Sequence, residues 1–271
     1  MAAPTSAPQN ASLSNEDLNG SSIAQYSLAR IFLIWLGATA PMGALAWVAW
    51  PLLRERVDLH PGLLFWMLMI VGTIWQFALA LLVLRAELGT LRWSVLAPRI
   101  WAQQPRDPRS DARRPRLWWM LVPIVLVFAA LTALSELISP AIEALGIHAP
   151  AGTAIGELAD PQFIGQWWIL ALAALSAMFN YVLGEELLFR GVLLPRMRGV
   201  FGRWDWLANG VLFGLYHVHK FWAIPLILLT SLPFSWAARR YRTIWFAICL
   251  HAIEGIITLF LVGAIVSGLA F

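Results

Sequence analysis

Two adjacent carboxylates, Glu185 and Glu186, and a nearby Arg190 stand at the end of an apolar run that begins at Trp167. Ionisable side chains inside or at the edge of a bilayer are costly, so they are candidates for function by default. On a helix, Glu186 and Arg190 lie one turn apart and can pair, whereas Glu185 is turned by about 100° from Glu186. The spacing therefore predicts that the arginine holds one carboxylate while the other stays free for chemistry.

Two histidines on other apolar segments could supply the remaining groups of a hydrolytic site. Phe213 and His217 share a helix face, and His251 precedes Glu254 by one turn in the last apolar run. A carboxylate and an imidazole can jointly bind and deprotonate a water. A further imidazole can stabilise the oxyanion of a tetrahedral intermediate. Together these groups predict peptide hydrolysis in a polar pocket walled by helices.

Each group also has a simpler interpretation when it is taken alone. Glu186 and Arg190 could form an ion pair at an interfacial helix end. His217, which is followed by His219, could belong to a wet loop at the outer face, and His251 could be a hydrogen-bonded core histidine. These interpretations weaken when the three groups are considered together, because a site that activates water needs all of them.

The composition bounds the class of protein. Hydrophobic residues make up 60% of the 271 residues and charged residues 13%, about half the charged share of a soluble domain. Several apolar runs reach the roughly 20 residues that cross a bilayer. We therefore expect an all-α, polytopic membrane bundle that contacts lipid and binds no nucleic acid. The single Cys249 excludes an internal disulfide framework and a cysteine-based zinc motif.

The positive-inside rule orients the chain. Residues 85–116 contain eight arginines against three acids, so this loop is predicted to be cytoplasmic. Residues 1–26 are predicted to form a disordered cytoplasmic tail, and residues 27–116 two transmembrane helices with the arginine-rich loop. The amino terminus then lies inside and the carboxyl terminus outside. The predicted seven spans are 31–50, 63–84, 118–134, a span starting at 167, 204–218, 221–238 and 243–271.

The depth of the groups sets a further requirement. If Arg203 marks the cytoplasmic edge, His217 lies about 21 Å along its helix at about 1.5 Å per residue. Glu185, in contrast, is near the cytoplasmic end of its own span. The two groups can meet if the fourth helix continues to about Leu194, with Arg190 buried against Glu186. We therefore expect a long fourth helix.

The order and spacing of these motifs resemble the CAAX-protease and bacteriocin-processing family, also called the ABI family, which includes the type II CAAX prenyl endopeptidases. The motifs are Glu185-Glu186-x-x-x-Arg190, Phe213-x-x-x-His217 and the late helical His251. The resemblance covers about residues 166–258 and implies that residues 117–271 form the protease core. It further implies an integral protein of the bacterial inner membrane with a membrane-associated peptide or protein substrate, such as a prenylated tail or a bacteriocin.

The resemblance also implies residue roles. Glu185 would be the general base, with Glu186 and Arg190 shaping the site; His217 would position or help activate the water, and His251 would stabilise the oxyanion or contact the water. Phe213 and Glu254 would support these groups.

A metal stays an open question at this point. Zinc accepts two imidazoles and a carboxylate, which Glu185, His217 and His251 could supply. The chain has no His-Glu-x-x-His zinc helix, however. The resemblance therefore implies a metalloprotease only through the name given to the family, and it does not identify a metal site.

One position departs from the family pattern. Gly255 stands where the family has an asparagine, four residues after the histidine, and the nearest polar group is Glu254. Glu254 could replace the amide only if it were protonated, since an oxyanion needs hydrogen-bond donors. A catalytically silent relative that acts as an immunity or scaffold protein is therefore the main alternative to a protease. A small-solute transporter is a third possibility, although no matching halves with broken helices are found.

Overall fold

The computed structural model of the protein describes residues 23–153 and 155–270. Most of the predicted tail, residues 1–22, lies outside these ranges. Helices build the described part of the chain, where the only β-type pairing is an isolated bridge between Arg106 and Arg113. The helices are α1 (Leu28–Leu53), α2 (Pro61–Leu88), α3 (Trp93–Arg99), α4 (Pro115–Ala144), α5 (Trp168–Arg196), α6 (Arg198–Tyr216), α7 (Val218–Thr230), α8 (Leu232–Tyr241) and α9 (Trp245–Ser267), with short 3-10 turns at Ile155–Leu158 and Pro161–Phe163 before α5.

The predicted all-α membrane bundle is confirmed, but the count of seven spans is not. Within the described residues, α1, α2, α4, α5 and α9 are long and apolar enough to cross a membrane. A sixth span results if α6 and α7, which are bent by 113° at His217, are counted as one broken span.

The expected fifth and sixth spans fail as separate straight helices because the backbone breaks inside the apolar sequence. His217 ends α6, and Lys220 has non-helical backbone angles of φ −133° and ψ 54°. Pro225 lies at the start of the regular α-helical part of α7, Ile224–Thr230, and Pro233 lies at the start of α8. A proline is tolerated in the first turn of a helix because the backbone N–H that it lacks would have no partner there. Apolarity alone does not reveal such breaks.

Helix α5 continues to Arg196, which confirms the expected long fourth helix. It is not a regular α-helix, because π-helical segments at Phe179–Gly184 and Leu187–Leu193 flank the two glutamates. Such segments are rare and are found frequently at functional sites. They also change the direction of each side chain relative to a regular helix.

Gly184 lets α5 approach α2 closely. A Cβ atom at this position would lie 2.7 Å from the carbonyl oxygen of Thr73. Backbone cannot move aside as a flexible side chain can. The absence of a side chain at Gly184 therefore sets the position of the neighbouring Glu185 against α2.

We predict that Gly184→Ala destabilises the protein by about 1–3 kcal/mol, the usual cost of forcing extra volume into a packed interior. Gly263→Ala in α9 is the matched control, because its Cβ would meet no atom within 4 Å. Thermal unfolding in detergent measures both variants. Equal melting temperatures for Gly184→Ala and Gly263→Ala would contradict the close approach of α5 and α2.

The chain just before α1 packs onto the end of α5. The Tyr26 backbone N–H donates to the Arg196 carbonyl at 2.9 Å, and the Tyr26 hydroxyl donates to Glu87 of α2. Arg196 is buried and donates to both carboxylate oxygens of Glu87 at 2.9–3.0 Å. The predicted disordered tail therefore does not extend as far as Tyr26.

Three apolar clusters hold the bundle together. The first joins α1, α2, α5 and α6; the second joins α4, α8 and α9; the third joins α2, α5 and α9. Helices α1 and α2, which the sequence places outside the protease core, thus pack directly on the helix that carries Glu185 and Glu186. The two glutamates, His217 and His251 lie on α5, at the end of α6 and on α9, where these clusters adjoin.

Candidate active site

Glu185 is the centre of a buried polar group, with only 2% of its surface exposed. The Tyr216 hydroxyl donates to its Oε1 at 3.1 Å. His217 Nε2 lies 3.7 Å from the same oxygen, and His251 Nε2 lies 3.8 Å from Oε2. The structure thus brings together the carboxylate and both imidazoles that the sequence singled out, each from a different segment.

The partner of His217 fixes which of its ring nitrogens carries hydrogen. His217 Nδ1 lies 2.8 Å from the Phe213 carbonyl oxygen, which can only accept a hydrogen bond. Nδ1 is therefore the donor, and in the neutral ring Nε2 presents a lone pair toward Glu185. The wet-loop interpretation of His217 and His219 is wrong, because both side chains are buried.

His251 is oriented in the same way by a different partner. Its Nδ1 lies 2.8 Å from Oε1 of Glu186, so that it donates to this carboxylate. In the neutral ring, Nε2 then presents a lone pair toward Glu185, as in His217. The Glu186 carboxylate therefore sets the orientation of His251.

The Nε2 atoms of His217 and His251 lie 3.7 and 3.8 Å from the Glu185 carboxylate oxygens. Because all of these atoms are acceptors, and the distances exceed those of hydrogen bonds, they do not bond one another directly. They require a hydrogen donor between them, and a water molecule offers two. Polar groups at such separations are commonly bridged by water. Each oxygen of the Glu185 carboxylate thus faces one imidazole nitrogen across a gap that a bridging water can span.

Glu186, which binds His251, is also held by its predicted partner. Arg190 Nη1 donates to Glu186 Oε1 at 3.0 Å, and both side chains are fully buried, which confirms the expected pair. The guanidinium lies 4.0 Å from the centre of the Phe213 ring, a cation–π contact. Phe213 also contacts His217, with ring centroids 4.8 Å apart. Phe213 thus connects the ion pair to the imidazole.

Glu254 reaches the site only from its edge. Its Oε2 lies 3.7 Å from His251 Nε2, but 42% of its side chain is exposed. It therefore contributes charge near His251 and does not occupy the buried position at which the family pattern has an asparagine.

Tyr181 fills the space that Gly255 leaves. A Cβ atom at position 255 would lie 2.7 Å from Cδ2 of Tyr181. The Tyr181 ring packs against the His251 ring at a centroid distance of 5.0 Å, and its hydroxyl lies 3.4 Å from Thr258 Oγ1. The absence of a side chain at Gly255 therefore lets the Tyr181 ring pack against His251.

Sequence reasoning missed two side chains of this network. Gln76 Nε2 donates to the Tyr216 hydroxyl at 2.6 Å, and Tyr216 in turn donates to Glu185. Gln76 was detectable as a polar residue in the middle of an apolar run, which marks a functional candidate in a membrane segment. Tyr216 directly precedes His217 and carried no signal of its own.

A cavity of about 450 Å³ adjoins the site. Tyr181, which packs on His251, lines it, and so do His219 and Lys220. The His219 ring is stacked on the His217 ring at 5.3 Å, and its buried Nδ1 has no hydrogen-bond partner among the described residues. The cavity thus borders the site through Tyr181 and His219, while Glu185, His217 and His251 themselves do not line it.

A zinc site is one arrangement that the resemblance implied for these side chains. In residues 23–153 and 155–270, no group of three or more His, Cys, Asp or Glu side chains is arranged to hold a metal ion. Glu185, His217 and His251 thus give no support to the zinc set that the resemblance suggested.

Comparison with known families confirms the resemblance inferred from the motifs. Residues 165–257 match the family model described as "Type II CAAX prenyl endopeptidase Rce1-like", which is consistent with the CAAX-protease and bacteriocin-processing family. The matched segment contains Glu185, His217 and His251 and covers less than half of the chain. No curated protein and no solved structure matched the chain. The long apolar helices and this match identify an integral membrane protein related to proteases.

Proposed function

We propose that this protein is an intramembrane endopeptidase that hydrolyses a peptide bond with a water activated by Glu185, His217 and His251. The observation that carries the proposal is the approach of two imidazole nitrogens, one from the end of α6 and one from α9, to within 4 Å of the Glu185 carboxylate on α5. The match to a protease family supports a peptide or protein substrate. We further propose a location in the bacterial inner membrane, with the arginine-rich face in the cytoplasm.

The proposed reaction balances with these side chains. Glu185 takes a proton from the water held between its carboxylate and His217 Nε2, and the water oxygen bonds to the carbonyl carbon of the peptide. As the carbon–nitrogen bond breaks, Glu185 returns the proton to the leaving amine. His251 Nε2, which faces the other carboxylate oxygen, accepts a hydrogen bond from the water and so helps to fix its position. The products are a carboxylic acid and an amine.

Glu186 and Arg190 serve as positioning residues in this account. Glu186 holds His251 Nδ1, and Arg190 holds Glu186. Neither needs to touch the peptide. Together with the Tyr216 hydroxyl, which donates to Glu185, they keep the reacting groups fixed before substrate arrives.

Purified protein in liposomes tests the function. The probes are a quenched fluorescent peptide with a farnesylated Cys-aliphatic-aliphatic-x tail and a transmembrane peptide without a prenyl group. Mass spectrometry of the products identifies the bond that is cut. Cleavage of either probe supports the protease. Absence of cleavage for both would favour the silent relative, which the glycine at position 255 makes the main alternative.

We predict that Gly255→Ala lowers both stability and activity, because the new methyl group displaces Tyr181 from His251. A loss of about 1–3 kcal/mol in the free energy of unfolding is typical of such overpacking. In the double variant Gly255→Ala/Tyr181→Ala the clash is gone, so the overpacking part of the loss is relieved while activity stays low. Wild-type activity in Gly255→Ala would show that the Tyr181 contact is unimportant.

A further inference from the structure

The face of the molecule that carries the arginine-rich loop contains a second cavity, remote in sequence from Glu185. Its volume is about 400 Å³. Its lining consists of residues from the arginine-rich loop, from the start of α6 and from the end of α8. It contains seven arginines and three aspartates: Arg106, Arg109, Arg198, Arg203, Arg239, Arg240 and Arg242 with Asp107, Asp111 and Asp205.

The aspartates of this cavity are already engaged. Asp111 binds Arg106 at 3.0 Å and Arg242 at 2.9 Å, and Asp205 binds Arg239 at 2.6 Å. Asp107 lies 3.5 Å from the Arg114 guanidinium, which is outside the cavity lining.

Four guanidinium groups remain without a carboxylate partner in the described chain. They belong to Arg109, Arg198, Arg203 and Arg240, all of which are exposed. A cluster of uncompensated guanidinium groups favours a ligand with phosphate oxygens, which match the planar guanidinium geometry.

An apolar groove is lined by residues that neighbour those of this cavity in the chain. It has a volume of about 330 Å³ and lies between α4 and α8, with Trp206 of α6 at its side. Trp206 and Tyr241 line the groove, while their chain neighbours Asp205 and Arg240 line the arginine cavity. The groove faces outward, because Val127 and Trp236 in its lining are 53% and 40% exposed.

We propose that the groove and the arginine cavity together bind one anionic phospholipid. An acyl chain lies in the groove along Val127 and Trp236, and the phosphate lies among the four uncompensated arginines. Burial of the acyl chain against the apolar side chains of the groove favours binding. The positive charge of the four arginines favours an anionic headgroup over a zwitterionic one. Aromatic side chains at the junction fit the interfacial level of a membrane.

The test compares lipids that differ only in charge. The full-length protein is released from nanodiscs that contain phosphatidylglycerol and phosphatidylcholine with identical chains, and native mass spectrometry counts the lipid that stays bound. We expect phosphatidylglycerol to be retained in preference. Arg203→Gln and Arg240→Gln should each lower this retention by about fivefold, the effect of about 1 kcal/mol per basic residue near an anionic surface.

Two further variants separate a built site from general attraction. Arg56→Gln removes an exposed arginine from the loop between α1 and α2 and should leave retention unchanged. Val127→Trp fills the groove without changing charge and should reduce retention. Equal retention of both lipids, an equal loss in Arg56→Gln, or no effect of Val127→Trp would overturn the proposal. Thermal stabilisation by inorganic phosphate that equals the effect of phosphatidylglycerol would overturn it as well, because a free anion would then suffice.

Discussion

Glu185→Gln is expected to lower the rate of peptide cleavage by about 10²- to 10⁴-fold, the usual contribution of a general base. The amide cannot take a proton from water. Its carbonyl oxygen can still accept the Tyr216 hydrogen bond that the carboxylate accepts at 3.1 Å. The neutral amide also removes the free-energy cost of burying a negative charge in the bundle. The melting temperature and membrane accumulation should therefore stay at the level of the wild type.

The control for this variant is a carboxylate of the same type outside the site. Glu143 is exposed at the end of α4, and Glu143→Gln should retain full activity. The assay is cleavage of the quenched farnesylated peptide in liposomes, with the melting temperature measured on the same preparations. Full activity in Glu185→Gln would contradict the mechanism. Loss of activity together with loss of folded protein would instead assign Glu185 a structural role.

Glu186→Ala is expected to destabilise the protein by about 3–5 kcal/mol, because it leaves a buried guanidinium without its counter-charge. Arg190 is fully buried, and its Nε and Nη2 have no hydrogen-bond partner among the described residues. Removal of Glu186 therefore leaves it no carboxylate within bonding distance. The same change frees His251 Nδ1, so activity should fall along with stability.

An exposed ion pair is the matched comparison. Arg54 and Glu55 lie 3.9 Å apart, and the Glu55 side chain is 78% exposed, so Glu55→Ala should cost less than about 1 kcal/mol. The double variant Glu186→Leu/Arg190→Met, which removes both buried charges, should be more stable than Glu186→Ala. Denaturant unfolding of the three variants gives the comparison. Equal stabilities for Glu186→Ala and Glu55→Ala would contradict a buried pair.

Local spacing predicted the parts of the site that depend on one helix. The Glu186–Arg190 pair follows from helix periodicity, and the extension of α5 past Arg190 to about Leu194 follows from the need for His217 to meet Glu185. The all-α membrane fold follows from apolar run length. These features depend on neighbours in sequence, which periodicity describes well.

Other parts depend on breaks and on contacts between distant segments. The bend at His217 and the π-helical turns around Glu185 are set by packing, so that counting apolar residues gave a number of spans that is not confirmed. Gln76 and Tyr216 are 140 residues apart in the chain, and only the fold brings them together. The filling of the Gly255 position by Tyr181 is likewise a contact between two helices.

The most direct test of a single shared water is a double-variant cycle at Glu185 and His217. If both groups hold and deprotonate one water, either single change removes the same function, and Glu185→Gln/His217→Gln should retain the residual rate of the slower single variant. Such non-additivity is typical of catalytic residues that act as a unit. Losses that multiply in the double variant would show that Glu185 and His217 act independently and would contradict the shared water.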